Sequence, residues 1–442
     1  MITSPRSISR PVSRRAFLRQ SGAVVASAAA LSSAATGVFA AGAGRLRVGL
    51  IGCGGRGTGA VTQVLRASPD QPIVLWAMAD LFRDRLEASY QMLAGGAEGR
   101  YDRDSFRTFA PQLEVPPERR FVGFDAFRQL LETEVDLVIL ATPPGFRPRH
   151  FEAAVRAGKH VFMEKPVAVD PAGVRIVIQA AREARQKGLS VAAGTQRRHQ
   201  KHYVEIIQRI HDGAIGEIVS AACYWNSAGK LYAEPKPPGM SDMEWQCRTW
   251  YPHCWLSGDH IVEQHVHNID VINWALRAHP VSAAGQGGRQ VRQGGDIWDH
   301  FAIEYEYPGG IRAASYCRQI PGCSDRVSER IVGTRGLAQL DGSSGFIQGP
   351  QAFRSARSPN PYLQEHIDLI RSIRQGEALN EGLAVAESSL TAIIGRMSAY
   401  TGQNVGWDWA LNESRLDLMP ARLEFKDLPP LVIPTPGRTP LA

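Results

Sequence analysis

Residues 45–51 read RLRVGLI, an apolar strand that runs straight into Gly52-Cys53-Gly54-Gly55-Arg56-Gly57. Few folds accept a strand followed at once by G-x-G-x-x-G. The first glycine makes the tight turn, and the last lets a helix pack closely on the strand it has just left. The same alternation continues downstream. A buried-strand run over 72–78 ends at Asp80, and a helix follows over 81–93. A short strand is expected at 121–124 and a helix at 127–131. The apolar run 135–141 (VDLVILA) ends in Thr142-Pro143-Pro144-Gly145. A helix over 149–157 leads to the strand that ends in Met163-Glu164-Lys165-Pro166. The helix over 171–187 carries Asp170 at its N-cap and Pro171 in its first turn. A last strand, 190–193, stops at Gly194. This alternation predicts an α/β fold with a mostly parallel sheet and helices on both faces.

Beyond about Thr195 the pattern changes. Segments 218–225, 298–307 and 311–317 alternate as antiparallel strands do, and Pro308-Gly309-Gly310 and Asp341-Gly342 supply turns. Two helices are expected at 363–375 and 384–401. With 442 residues the chain is long for one core. The expected division is a nucleotide-binding domain over 44–194, an α+β domain over 195–427 and a proline-rich tail over 428–442.

The net charge of +7 suggests a basic surface, yet Arg6, Arg10, Arg14, Arg15 and Arg19 lie in a first stretch of forty residues without an acid. Without those five the balance falls to +2, so a nucleic-acid partner has little support. The five arginines belong instead to an address. Ser13-Arg14-Arg15-Ala16-Phe17-Leu18-Arg19, ahead of an Ala/Ser/Gly-rich run, has the pattern of a twin-arginine export signal over residues 1–43. A periplasmic or otherwise exported protein is expected, with no stable membrane span after processing. Six cysteines occur, and Cys247/Cys254 or Cys317/Cys323 lie near enough in sequence to pair.

Three groups of residues can carry chemistry. Gly52, Cys53, Gly54, Arg56 and Gly57 form a loop whose backbone amides can approach a pyrophosphate at a helix N-terminus. Asp80 ends the next strand about 20 residues on, where a carboxylate accepts ribose hydroxyls and repels a 2′-phosphate. NAD is therefore expected over NADP, with Arg83 and Arg85 near enough to soften the preference. Lys165 stands at a strand's carboxyl end, where desolvation beside a cofactor can prepare a lysine to relay a proton. Asp259 can cap a helix running to Leu276, which would set Glu263 and His267 four residues apart on one face, with His260 beside them. A carboxylate that holds an imidazole fixes its tautomer for proton transfer. The spacing of His260, Glu263, His265 and His267 matches no zinc signature, and no metal is expected. Tyr224, Trp225, Tyr232, Trp245, Trp250, Tyr251 and Trp255 crowd the preceding stretch and suit either sugar faces or packing.

Together these motifs resemble the glucose–fructose oxidoreductase / inositol dehydrogenase / MocA (Gfo/Idh/MocA) family, in an exported branch. The resemblance covers essentially the mature chain. It rests on the glycine loop, Thr142-Pro143, His150, Glu164-Lys165-Pro166, the stretch from Gly194 through Arg198, and the helix with His267. It implies a Rossmann domain followed by an α+β domain with a large open, mostly antiparallel sheet that binds substrate and often mediates oligomerisation. Lys165 and His267 would act at the substrate carbon with Glu263. Thr142, Pro143, His150, Glu164, Lys165 and Gln196 would join the glycine loop and Asp80 around the cofactor. The chain departs from the family pattern at Glu263 (usually aspartate), at His265 (usually glycine) and at Ser257-Gly258-Asp259 (usually three glycines).

The resemblance implies hydride transfer between a carbohydrate and NAD(P) in an expected homo-oligomer. Outside the cytoplasm a released NADH could not be replaced, so an exported member needs a tightly bound cofactor that is reset in each cycle. Oxidation of one sugar coupled to reduction of another meets that condition. Redox-neutral glycoside cleavage through transient oxidation meets it too, and a non-catalytic sugar or nucleotide sensor is the third alternative.

Overall fold

The computed structural model describes residues 44–68, 70–95, 110–229, 234–356 and 358–442. The export segment and Tyr232 lie outside these. Six strands, β1 (Leu46–Ile51), β2 (Ile73–Asp80), β3 (Arg120–Val122), β4 (Leu137–Leu140), β5 (His160–Met163) and β6 (Val191–Ala193), form a sheet in the order β3-β2-β1-β4-β5-β6. Every adjacent pair is parallel. Every residue of β4 and β5 is buried, because helices cover both faces of a parallel sheet and leave no polar side. The strand order reverses between β1 and β4, so the crevice outside their carboxyl ends is where such a sheet takes its ligand.

The first helix, Gly55–Arg66, follows β1 through the glycine loop. Helix Pro171–Gln186 starts as its sequence suggests, with the Asp170 carboxylate accepting from Gly173 N–H at 2.7 Å. Helix Arg83–Leu93 begins two residues later than expected, since Asp80 accepts from Phe82 N–H and holds that residue extended at the N-cap.

The second sheet has nine strands: β7 (Ile218–Ser227), β8 (Ser282–Gly288), β9 (His300–Glu306), β10 (Arg312–Gln319), β11 (Arg326–Gly333), β12 (Gly336–Asp341), β13 (Gly345–Gln348), β14 (Phe353–Arg354) and β15 (Val405–Gly406). Their order is β14-β13-β12-β11-β7-β10-β9-β8-β15. Only β7 and β10 pair in parallel; the other neighbours are antiparallel. The fold is therefore a Rossmann-like parallel sheet followed by a mostly antiparallel one. Helix Gly382–Thr401 packs on both β8 and helix Pro171–Gln186, and burial on both flanks explains its nearly uninterrupted apolar and small residues. The described residues from 44 on form one compact unit. No helix among the described residues is long and apolar enough to cross a membrane.

Two local expectations are corrected. The helix expected from Asp259 to Leu276 is broken into His260–Glu263 and Val266–Leu276. His265 causes the break: its Nε2 lies 2.8 Å from Ser315 Oγ in β10, while its N–H donates to His260 O instead of Ile261 O. The cysteines form no disulfide; all six are free, and only Cys323 is exposed. The tail beyond Leu428 has no regular structure, but Gly437 N–H donates to Thr401 O at 2.9 Å and Trp298 Nε1 to Pro434 O at 3.3 Å.

Candidate active site

The carboxyl ends of β1, β2, β4 and β5 open into a cleft of about 490 Å³. Gly52 has φ +100°, and a side chain there would run into the Ala141–Thr142 backbone. At Gly57 a methyl group would overlap Gly52 O. These two glycines close the turn and seat the helix. Gly54 differs: a Cβ there meets nothing within 4 Å. The helix it caps has no side-chain cap and no acid in its first turn, so its N–H groups and positive dipole end face an open, anion-ready space. The Asp80 carboxylate lines the same cleft, held by N–H donors from Cys53 (2.7 Å) and Phe82 (2.9 Å). Burial raises its pKa above the ordinary carboxylate value. Anion-ready loop, open Gly54 face and strand-end carboxylate fit a dinucleotide.

Thr142 and Pro143 end β4 and line the cleft beside His150. Thr142 Oγ1 lies 3.2 Å from His150 Nδ1. Burial, then the Arg147 charge, lowers the His150 pKa to about 3, so its ring is a neutral hydrogen-bonding group. Arg56 and Glu164 also line the cleft, but they spend their charges on each other. Arg56 Nε donates to Glu164, Nη2 to Glu365 at 3.1 Å and Nη1 to Gln63 at 2.9 Å. Gln196 faces the same space and donates to Tyr362 OH at 3.4 Å.

Lys165 stands at the end of β5, its peptide bond to Pro166 cis. Its Nζ donates to Glu263 O at 2.6 Å and to Glu263 Oε1 at 3.0 Å. Glu263 therefore holds the lysine, whereas the sequence pointed to a grip on His267. His267 Nδ1 is buried without a hydrogen-bond partner, and the ring stacks on Trp225 at 5.8 Å. Burial first, then the Lys165 cation, holds the His267 pKa well below the usual imidazole value. Both rings line the cleft. His260 does not join them: it bonds Asp259 through Nδ1 at 2.9 Å and packs on Phe301. Asp259, at φ +71°, also accepts from Trp298 N–H and Tyr400 OH. These bonds account for an aspartate in a backbone region that favours glycine.

Residues that sequence reasoning missed complete the walls. Arg147 donates to Pro166 O at 2.6 Å and to Thr142 O, tying together the two loops that end β4 and β5. Tyr362 arrives from helix Pro361–Gln375 with its ring 5.1 Å from the Arg56 guanidinium. Phe82, Phe124 and Trp250 line the Asp80 end. Trp250 belongs to the aromatic stretch that the sequence shows, whereas no local signal marks Tyr362, because a contact across domains sets its role. Among the described residues no cluster of His, Cys, Asp and Glu is placed to hold a metal ion.

Comparison with known proteins agrees with this geometry. The family described as "Oxidoreductase family, NAD-binding Rossmann fold" (GFO/IDH/MocA) matches residues 46–193, and the "GFO/IDH/MocA C-terminal domain" matches residues 203–339. The chain belongs to the GFO/IDH/MocA family. As a member it is an NAD(P)-dependent oxidoreductase. The inositol 2-dehydrogenase of Rubrobacter xylanophilus is 25% identical over 305 residues, covering 69% of this chain and 73% of the relative. Inositol 2-dehydrogenase 4 of Saccharopolyspora erythraea is 24% identical over 327 residues, covering 73% and 82%. The NADP(+)-linked scyllo-inositol 2-dehydrogenase of Bacillus subtilis is 26% identical over 182 residues, covering 41% and 45%. Among solved GFO/IDH/MocA-like folds, the aldose–aldose oxidoreductase of Caulobacter crescentus superposes with a TM-score of 0.61 at 20% identity, covering 82% of this chain and all of that one.

Proposed function

We propose that the protein oxidises a sugar or sugar derivative at a carbinol carbon and passes the two electrons to a second carbonyl compound, with a dinucleotide that stays bound throughout. The observation that carries the reading is the placing of Lys165 and its Glu263 tether in the same cleft as the glycine loop and Asp80. When bound, the nicotinamide supplies the hydride acceptor for the first substrate and the donor for the second. Gly52 and Gly54 would face the pyrophosphate, with Cys53 and Gly57 shaping the turn behind them, and Asp80 would take the ribose, while Thr142, Pro143, His150, Arg56, Glu164 and Gln196 shape the remaining wall.

His267, neutral through burial, accepts the substrate hydroxyl proton, and the Lys165 ammonium steadies the oxygen as its charge develops. Glu263 fixes Lys165 from both its carbonyl and its carboxylate. NAD is favoured over NADP by Asp80, whose carboxylate would repel a 2′-phosphate. The paired arginines near the N-terminus support export, and retention of the cofactor follows from that location. A homo-oligomer is part of the same proposal, and Tyr316, 41% exposed on the second sheet and stacked on Tyr224 at 5.6 Å, is an aromatic face that it would cover. Named relatives that are dehydrogenases favour net oxidation over glycoside elimination or a silent sensor.

The test is a panel of aldoses and inositols, each offered with a second sugar as acceptor and no added cofactor. Product formation in the wild type and its loss in Lys165→Met support the reading. Turnover that demands a stoichiometric supply of free NAD(P) contradicts the bound-cofactor part.

A further inference from the structure

At the Asp80 end of the cleft, three separate parts of the chain meet. Phe82 follows β2 and Phe124 follows β3; both line the cleft, as do Arg85 from the first domain and Cys247 and Trp250 from the second. The Arg248 guanidinium, from helix Asp242–Arg248, lies 3.9 Å from the centre of the Phe82 ring. Its Nη1 also pairs with Asp84 at 3.0 Å. Over the other side comes Phe425, from the irregular segment after the last helix. Its ring stacks on Phe82 with centroids 6.0 Å apart and leans on Phe124 at 5.3 Å.

That segment is fastened to the second domain: Met243 N–H donates to Lys426 O at 3.1 Å, and Leu428 N–H to the Asp242 carboxylate at 3.2 Å. The Phe425 residue is nevertheless 50% exposed, so its ring braces the wall without being buried in a core. The position matters because β2 and β5 flank the switch point on opposite sides. With Lys165 at the reacting end, the Asp80 side takes the adenosine end of a dinucleotide.

We propose that Arg248 and Phe425 form a clasp that closes the adenosine end of the cleft and retains the dinucleotide between turnovers. This inference rests on the bound-cofactor reading and gives it a mechanism. Neither residue lines the cleft itself: Phe425 braces Phe82 and Phe124, Arg248 braces Phe82, and those two rings form the wall, so loosening the braces frees the wall to open and acts on the exit rate.

Dissociation of NADH, followed by its fluorescence after a chase with excess NAD, tests the clasp in the full-length chain. Wild type, Phe425→Ala, Arg248→Ala and the control Val432→Ala, a tail residue 79% exposed, are compared, and thermal melts verify that each is folded. Slow release from the wild type and control, with release about tenfold faster from both clasp variants, is the expected result. Equally slow release from all four overturns the clasp and leaves the bound-cofactor reading standing. Rapid release from the wild type overturns both.

Discussion

Lys165 takes the backbone carbonyl of Glu263 that an unbroken helix would have given to His267. His267 N–H bonds Gln264 O at 3.3 Å instead, while the Lys165 ammonium reaches Glu263 O at 2.6 Å and its carboxylate at 3.0 Å. The helix break and the lysine's fixed position are one feature, which couples the end of β5 to the second domain.

Lys165→Met should lower kcat by about 10²–10³-fold, the range for loss of a group that stabilises developing charge on oxygen. The Kd for NADH should change little, because the loop and Asp80 are untouched. Glu263→Gln keeps the carbonyl contact and loses only the charge pair, so a smaller loss, on the order of tenfold, is expected. Steady-state kinetics beside NADH fluorescence titrations separate the two effects.

Asp80→Asn removes the charge that repels a 2′-phosphate and keeps an acceptor oxygen for one of the Cys53 and Phe82 N–H groups, which bond to different carboxylate oxygens. The NADH/NADPH affinity ratio should fall by about 10-fold or more, given the strength of charge-assisted hydrogen bonds. Titration of one protein with both dinucleotides gives the ratio directly.

The glycine loop offers a paired test. Gly57→Ala forces a methyl group against Gly52 O and should destabilise the fold by about 1–3 kcal/mol, as overpacking does. Gly54→Ala meets nothing within 4 Å among the described residues, so its melting temperature should hold while NADH affinity drops. Thermal melts and titrations of the two variants should therefore give opposite patterns.

Much of the first domain is legible in the sequence because its strands are buried on both faces and read as continuous apolar runs, 135–141 above all. The glycine loop, Asp80 and Lys165 are legible for a related reason: each sits where a strand ends, and strand ends are local. The broken helix is not. Its cause is His265 reaching Ser315 and Lys165 reaching Glu263, partners 50 and 98 residues away, whereas apolar periodicity alone favours one helix. The sequence therefore places Glu263 in the site but points it at His267 and not at Lys165, which the structure shows it holding. Tyr362 and Phe425 are invisible for the same reason, since their roles exist only after the terminal segments fold back.

Buried neutral histidines make stability depend on pH in a definite direction. Burial lowers the pKa of His150 and His265 to about 3 and of His160 and His253 to about 4. Unfolded histidine titrates near 6.5, so between about pH 6.5 and 4 the unfolded chain binds protons that the folded chain refuses. Stability should be full above that window and fall as pH drops through it, by about 1.4 kcal/mol per unit for each such residue. His199 works the other way. Burial opposes its charge, but the hydrogen bond to Asp368 and the ion pair with Glu381 outweigh it and raise its pKa to about 10, so its contribution is complete below 6.5 and vanishes as pH rises through 10. Denaturant melts from pH 4 to pH 10 should show both flanks, and His199→Gln should remove the alkaline contribution.

The central claim is most directly tested by adding one sugar, then a second carbonyl compound, to purified protein without free cofactor while following the near-ultraviolet absorbance of reduced nicotinamide. The expected result is a rise of up to one equivalent per chain on the first addition and a return to baseline on the second, with neither change in Lys165→Met. A protein that shows no rise with any aldose or inositol, yet carries a full complement of oxidised dinucleotide, would contradict the account.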